Sequence, residues 1–189
     1  MSAPAPACPF HLPLISILRG IRPEEALAHV QVLVEEGFDA IEIPLNSPEW
    51  ASSIGACVRE FGQQAWIGGG TVLRNVDVDR LVDLGVRFIV TPNTNPALIR
   101  HAVDRGLQVA PGFATASEAF AALEAGAQML KLFPAATYGT QHVRALRAVL
   151  PAVPLFVVGG VTPLNLADFL KGDIELVLTL VSSELSQHG

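Results

Sequence analysis

Short apolar runs recur along the chain at nearly equal intervals, and this spacing constrains the fold more than any other feature. Each run is followed by a turn signal, and in most cases a segment with helical periodicity comes next. The mean step between runs is about 23 residues, the length of one strand, one helix and two short loops. We therefore predict strands over 14–18, 40–43, 65–68, 87–90, 108–110, 129–133, 155–158 and 175–181.

Alternating strands and helices indicate a parallel sheet. Half of the residues are hydrophobic and 16% are charged, as expected for strands that are buried on both faces. Eight regular repeats favour an α/β fold closed into a TIM (β/α)8 barrel, with an open doubly wound sheet as the alternative. The chain has 189 residues, whereas such barrels typically have about 250, so we expect the final helix to be missing.

The amino-terminal residues differ in composition from the rest of the chain. They read MSAPAPACP, without the basic and apolar regions of a signal peptide. We predict a disordered lead over 1–11 and a single barrel domain over 12–189. The two cysteines, Cys8 and Cys57, show neither metal-ligand spacing nor a disulfide framework. We therefore expect a cytoplasmic protein.

The net charge of −6 and the absence of basic runs limit the possible partners. Nucleic acids and anionic membranes attract clusters of Lys and Arg, so the sequence predicts neither as a partner. No apolar stretch approaches the roughly 18 residues of a membrane span. We also find no cluster with the spacing of metal ligands and predict no metal site.

Two charged residues interrupt apolar runs. Lys131 lies within 129–133 and Glu42 within 40–43, and alternation along barrel strands would turn both side chains inward. A buried lysine tends to lose its proton and can then attack a carbonyl carbon to form a Schiff base. A buried carboxyl group can transfer protons. The alternatives are a lysine whose ammonium group reaches water and a structural ion pair.

Glycine-rich turns and one arginine follow other predicted strands. Gly159 and Gly160 precede a helix-start signal, where backbone N–H groups suit a phosphate, although a plain tight turn is the alternative. The run at 68–71 is a second loop that permits close approach. Arg19 follows the first strand and is either a clamp for a carboxylate or phosphate group or a solvated loop residue.

These motifs, in this order, resemble the family of aldolases that cleave 2-keto-3-deoxy-6-phospho sugar acids. The resemblance covers residues 12 to 170, most of the chain. It rests on five motifs: Ile17-Leu18-Arg19-Gly20, Glu42-Ile43-Pro44-Leu45-Asn46-Ser47-Pro48, Gly69-Gly70-Thr71-Val72, Thr91-Pro92-Asn93 and Lys131-Leu132-Phe133-Pro134.

The resemblance implies a class I aldolase, in which Lys131 forms a Schiff base with the substrate ketone and Glu42 transfers protons through a bound water. It implies no cofactor and no metal, a phosphorylated keto sugar acid as substrate, and a homotrimer. It also implies a set of substrate-binding residues: Arg19 and Thr71 at the carboxylate end, Gly159, Gly160 and Ser183 at the phosphate, and Pro92 and Phe133 from the remaining motifs.

Within this family, Pro44, Asn46 and Val158 resemble the galactonate branch. That branch implies cleavage of 2-dehydro-3-deoxy-6-phosphogalactonate to pyruvate and glyceraldehyde 3-phosphate. One alternative is activity on the gluconate epimer or on 4-hydroxy-2-oxoglutarate. Another is a catalytically impaired relative that still binds a phosphosugar. The residues at 178–185 suggest it, because leucines and a serine replace the glycines that the family has near the phosphate.

Overall fold

The computed structural model describes residues 8–12, 14–162, 164–170 and 176–180. Its strands are β1 (Leu14–Ile17), β2 (Ala40–Pro44), β3 (Trp66–Gly70), β4 (Phe88–Val90), β5 (Gln108–Ala110), β6 (Gly112–Phe113), β7 (Leu130–Leu132), β8 (Leu155–Val157) and β9 (Leu176–Leu180). Its helices are α1 (Pro23–Glu35), α2 (Trp50–Phe61), α3 (Asn75–Asp83), α4 (Pro96–Asp104), α5 (Ala116–Glu124), α6 (Ala135–Arg147) and α7 (Leu166–Leu170).

The strands pair in parallel in the order β5-β4-β3-β2-β1-β9-β8-β7-β6. The two end strands of this order, β5 and β6, are halves of one barrel strand that Pro111 interrupts, since proline has no backbone N–H to donate. Toward β4, the N–H of Gly112 donates to the carbonyl of Thr91. Toward β7, the N–H of Lys131 donates to the carbonyl of Pro111. These bonds close the sheet, so the predicted TIM (β/α)8 barrel is confirmed.

Helix-start signals in the sequence coincide with the first residues of two observed helices. α1 begins at Pro23, where the ring fits the first helical turn. α5 has a complete capping box, in which Thr115 and Glu118 satisfy each other's backbone N–H groups. Both helices begin just after the carboxyl ends of strands, and the loops that lead into them therefore lie at that end of the barrel.

Alternate side chains of each strand face opposite sides of the barrel wall. Ile41 and Ile43 belong to the core between sheet and helices, whereas Ala40 belongs to the apolar cluster inside the barrel. Glu42, which lies between the two isoleucines, therefore faces the barrel interior. The same alternation applies to Lys131 in β7, whose two neighbours both pack in the outer core.

Phe10 lies within the predicted lead and packs against the barrel. Its side chain is 5% exposed, and its ring centroid lies 5.5 Å from those of Trp66 and Phe88. These are the first residues of β3 and β4, so Phe10 closes the amino-terminal end of the barrel. The interior there is apolar, and a buried ring removes it from water. The domain boundary at 12 stays a prediction.

Some expectations concern residues that the structure does not describe. The prediction that the final helix is missing concerns residues 181–189, and Ser183 lies in the same segment. Both predictions therefore fall outside the described residues. Within the described part of the chain, no helix combines the length and the apolar character that crossing a membrane requires.

We predict that Phe10→Ala lowers the free energy of unfolding by about 3–5 kcal/mol, because it leaves a cavity among buried aromatic rings. The measurement is urea denaturation followed by circular dichroism. Phe120→Ala is the matched control, because Phe120 is 41% exposed on α5 and should cost less than about 1 kcal/mol. Equal losses for the two variants would contradict the closing role of Phe10.

Candidate functional site

A cavity of about 550 Å³ opens at the carboxyl ends of the strands. Ile17, Val158 and Val161 give it apolar walls. The structure brings eight of the nine predicted site residues to its lining: Arg19, Glu42, Thr71, Pro92, Lys131, Phe133, Gly159 and Gly160. The ninth is Ser183, which falls outside the described residues. Motifs from six separate strands and loops thus converge on one place, where barrels of this kind carry their sites.

Lys131 is a buried amine at the floor of the cavity. Lys131 is 7% exposed, and burial lowers the pKa of its ammonium group to about 8. The carboxylate of Glu42 opposes this change, whereas the positive charge of Arg19 adds to it. Nζ lies 5.3 Å from the ring centroid of Phe133, whose face stabilises a cation. Burial therefore increases the fraction of Lys131 that is neutral, and nucleophilic, at near-neutral pH.

Glu42 is the buried acid of the same cavity. It is 2% exposed, and burial raises the pKa of its carboxyl group to about 7, against the opposing positive charges of Lys131 and Arg19. Among the described residues, its Oε2 has no hydrogen-bond partner. A carboxyl group with such a pKa and a free oxygen can both accept and donate a proton near pH 7.

The glycines of β3 make room for that carboxyl group. A Cβ atom on Gly70 would lie 1.6 Å from Oε1 of Glu42, and one on Gly68 would lie 2.5 Å from the ring of Phe88. The sequence predicts that this glycine run is a loop for close approach. The structure shows that Gly68 and Gly70 belong to a strand and that the groups approaching them are side chains of the barrel interior.

Thr71 continues this strand into the cavity wall with an uncommon backbone. Its φ is +57°, a left-handed conformation that strains a β-branched residue. Neighbouring hydrogen bonds hold it, since the N–H of Leu45 donates to the carbonyl of Gly70 and the N–H of Val72 donates to that of Val90. Strain of this kind is concentrated at functional sites, where it fixes the direction of a side chain.

Gly159 and Gly160 form the turn after β8. Both have left-handed φ values, +91° and +74°. A Cβ on Gly159 would contact the Phe133 ring at 3.0 Å, and a Cβ on Gly160 would lie 2.5 Å from Cβ of Ala136. Conformation and space therefore both require glycine, and bare backbone lines this part of the cavity.

Arg19 brings a third charge to the cavity. Its Nη1 donates a 2.9 Å hydrogen bond to Oδ1 of Asn46, in the loop after β2. The sequence identifies Asn46 only as a residue typical of the galactonate branch, because its partner lies 27 positions away and no local pattern links the two. In the described part of the chain, no group of His, Cys, Asp and Glu side chains is arranged to hold a metal ion.

The sequence also has close relatives of known kind. It is 58% identical over 160 residues to 2-dehydro-3-deoxy-6-phosphogalactonate aldolase of Escherichia coli strain K12, across 84% of this chain and 78% of the relative. Such identity over most of two chains indicates a common fold.

Two solved structures have the same architecture. A cube-shaped protein cage, designed by fusing symmetric oligomeric domains, superposes with a TM-score of 0.88 at 54% identity. That match covers 93% of this chain but 64% of the longer fused one. KDPG aldolase from Legionella pneumophila, with pyruvate captured as a covalent carbinolamine, superposes with a TM-score of 0.83 at 25% identity, across 94% and 85% of the two chains.

The family model described as KDPG and KHG aldolase matches residues 10–188. This range contains every strand of the barrel and all the residues that line its cavity. By the match to this model and by the identity to a curated relative, the chain belongs to the KDPG and KHG aldolase family.

Proposed function

We propose that this chain is a class I aldolase that cleaves 2-dehydro-3-deoxy-6-phosphogalactonate to pyruvate and glyceraldehyde 3-phosphate. One observation carries the proposal: a buried lysine and a buried carboxyl group, Lys131 and Glu42, face the same cavity from β7 and β2. The name of the Escherichia coli relative supports the galactonate epimer as substrate. The Legionella neighbour, with its covalent carbinolamine, supports chemistry through an amine.

In the first step, the neutral amine of Lys131 attacks C2 of the substrate ketone and forms a C–N bond. The nitrogen passes one proton to the oxygen, Glu42 in its acid form supplies a second one, and the oxygen leaves as water to give an iminium ion. Burial favours both reactants, because it lowers the pKa of the lysine and raises that of the carboxyl group. Burial thus increases the population of the protonation state that the step needs in each group.

In the second step, ionised Glu42 removes the proton of the C4 hydroxyl group. The C3–C4 bond breaks, its electron pair moves to the iminium nitrogen, and glyceraldehyde 3-phosphate leaves. The resulting enamine takes at C3 the proton that Glu42 removed from the hydroxyl group, and it becomes the iminium ion of pyruvate. Water then adds to C2, the C–N bond breaks, and Lys131 is regenerated as an amine.

The other lining residues bind the two ends of the substrate in this proposal. Arg19 and Thr71 hold the carboxylate, which suits a guanidinium group and a hydroxyl group at the cavity wall. Gly159 and Gly160 hold the phosphate, where bare backbone permits close approach. Pro92 and Phe133 also line the cavity, and the phosphate contact of Ser183 stays a prediction from the sequence.

We predict that reduction with cyanoborohydride in the presence of pyruvate attaches pyruvate covalently to Lys131, because hydride traps the iminium ion. Peptide mass spectrometry locates the adduct. Lys131→Met should give no adduct and at least about 1000-fold less turnover. Lys171→Met is the matched control, since it alters the other of the chain's two lysines, and it should be trapped like wild type. A folded wild-type protein without an adduct would contradict the proposal.

We predict that kcat/KM for the galactonate substrate exceeds that for its gluconate epimer by at least about tenfold, since one misplaced hydroxyl group typically costs that much. A coupled pyruvate assay compares both epimers and 4-hydroxy-2-oxoglutarate. A reversed ratio would favour the gluconate alternative. Trapping of pyruvate without turnover of any of the three would favour the impaired relative that residues 178–185 suggest.

We also propose that the chain is a cytoplasmic homotrimer, and predict a light-scattering mass of three chains. Two observations support a symmetric assembly. The cage neighbour was designed by fusing symmetric oligomeric domains, and Leu73 and Val76, close together where α3 begins, are 53% and 63% exposed. Coverage by another chain would remove both apolar side chains from water. The mass of one chain at micromolar concentration would contradict the trimer.

A further inference from the structure

Two neighbouring loops at the cavity are joined through consecutive residues. Nη1 of Arg19 donates to Oδ1 of Asn46, and the backbone N–H of Gly20 donates to Oγ of Ser47, both at 2.9 Å. The first pair holds a side chain of the cavity lining, and the second holds the backbone next to it. We call Asn46 and Ser47 the Asn–Ser clamp.

The clamp has a rigid base. Ser47 is 5% exposed, and its N–H donates to the carbonyl of Pro44, the last residue of β2. On the other side of Asn46, the N–H of Leu45 donates to the carbonyl of Gly70 in β3. Asn46 is thus an exposed residue between two neighbours whose backbones are anchored to the strands beneath the cavity.

Arg19 requires such support to act at a defined place. Its side chain is exposed, and a long exposed side chain adopts many rotamers unless a partner selects one. A guanidinium group has five N–H donors in a fixed plane. Nη1 gives one of them to Asn46, which orients the plane and leaves other donors for a ligand.

We propose that Asn46 is a positioning residue, which fixes the guanidinium group of Arg19 at the cavity wall so that it binds the carboxylate of a 2-oxo acid, while Ser47 holds Asn46 in place. The proposal rests on the function proposed above for this cavity. It adds that carboxylate recognition depends on a residue that does not itself line the cavity.

The position of Arg19 also affects the reacting groups. The charged side chains among the described lining residues are Arg19, Glu42 and Lys131. The positive charge of Arg19 lowers the pKa of Lys131 and that of Glu42. If the guanidinium group moves away, both pKa values rise. A reaction that needs the neutral amine of Lys131 must then begin at higher pH.

The test measures the trapping of pyruvate on Lys131 by cyanoborohydride, as a function of pyruvate concentration and of pH. Pyruvate has the carboxylate and the ketone without the phosphate, so it probes this end of the cavity alone. The variants are Asn46→Ala, Arg19→Ala and the double variant, with Asn46→Ser as a second truncation. Asn75→Ala is the matched control, because Asn75 is an exposed asparagine after the neighbouring strand and does not line the cavity.

We expect Asn46→Ala to raise the half-saturating pyruvate concentration about tenfold, the usual effect of losing a hydrogen bond to a charged group, and to move the midpoint of the pH profile upward. Asn46→Ser should do the same, and Asn75→Ala should change neither value by more than about twofold. In the Arg19→Ala background, Asn46→Ala should have almost no further effect, because its action passes through the guanidinium group.

Two results would overturn the positioning role. One is an unchanged pyruvate dependence and pH midpoint in Asn46→Ala. The other is an equal effect of this substitution with and without Arg19, which would indicate a structural contribution of the loop. Failure of the proposed function is distinguishable, since wild type would then trap no pyruvate, or would trap it without cleaving the galactonate substrate.

Discussion

The site depends on the burial of an amine and a carboxyl group in an apolar barrel. Removing Lys131 and Glu42 from water disfavours both charged forms, and their mutual attraction offsets only part of that effect. Strand register makes the arrangement possible, because a shift of one residue would turn either side chain out toward the helices. The apolar neighbours on each side of both residues are therefore what keeps the two reacting groups in one interior.

Space around the acid is a second requirement. Position 70 requires glycine because Oε1 of Glu42 occupies the place that a Cβ atom would take. The next residue in the chain, Thr71, has a strained backbone. Both features weaken β3, since glycine lacks packing atoms and left-handed threonine is costly. At the opposite end of the barrel, Phe10 packs against Trp66 and Phe88, which are the first residues of β3 and β4. Stability and chemistry thus occupy different ends of the same interior.

The sequence predicts the features that depend on local spacing. The step between apolar runs predicts the barrel. The alternation of inward and outward side chains within two of these runs predicts that Lys131 and Glu42 meet inside it. Contacts between distant segments leave no such pattern. The ring of Phe10 finds its partners more than 50 positions away, and the bond from Arg19 to Asn46 spans 27. A single missing N–H at Pro111 divides one barrel strand into two, which the apolar run at 108–110 does not reveal.

Reaction type and substrate choice depend on different parts of this cavity. The proposed Schiff base requires only a ketone at C2, and the proposed cleavage only a hydroxyl group at C4 whose proton can reach Glu42. Galactonate and gluconate substrates differ in the configuration of C4, so neither Lys131 nor Glu42 distinguishes them by chemistry alone. Discrimination must come from the walls that orient C4, which include the apolar side chain of Val158 and the turn at Gly159. The two buried charges therefore indicate the reaction more directly than they indicate its substrate.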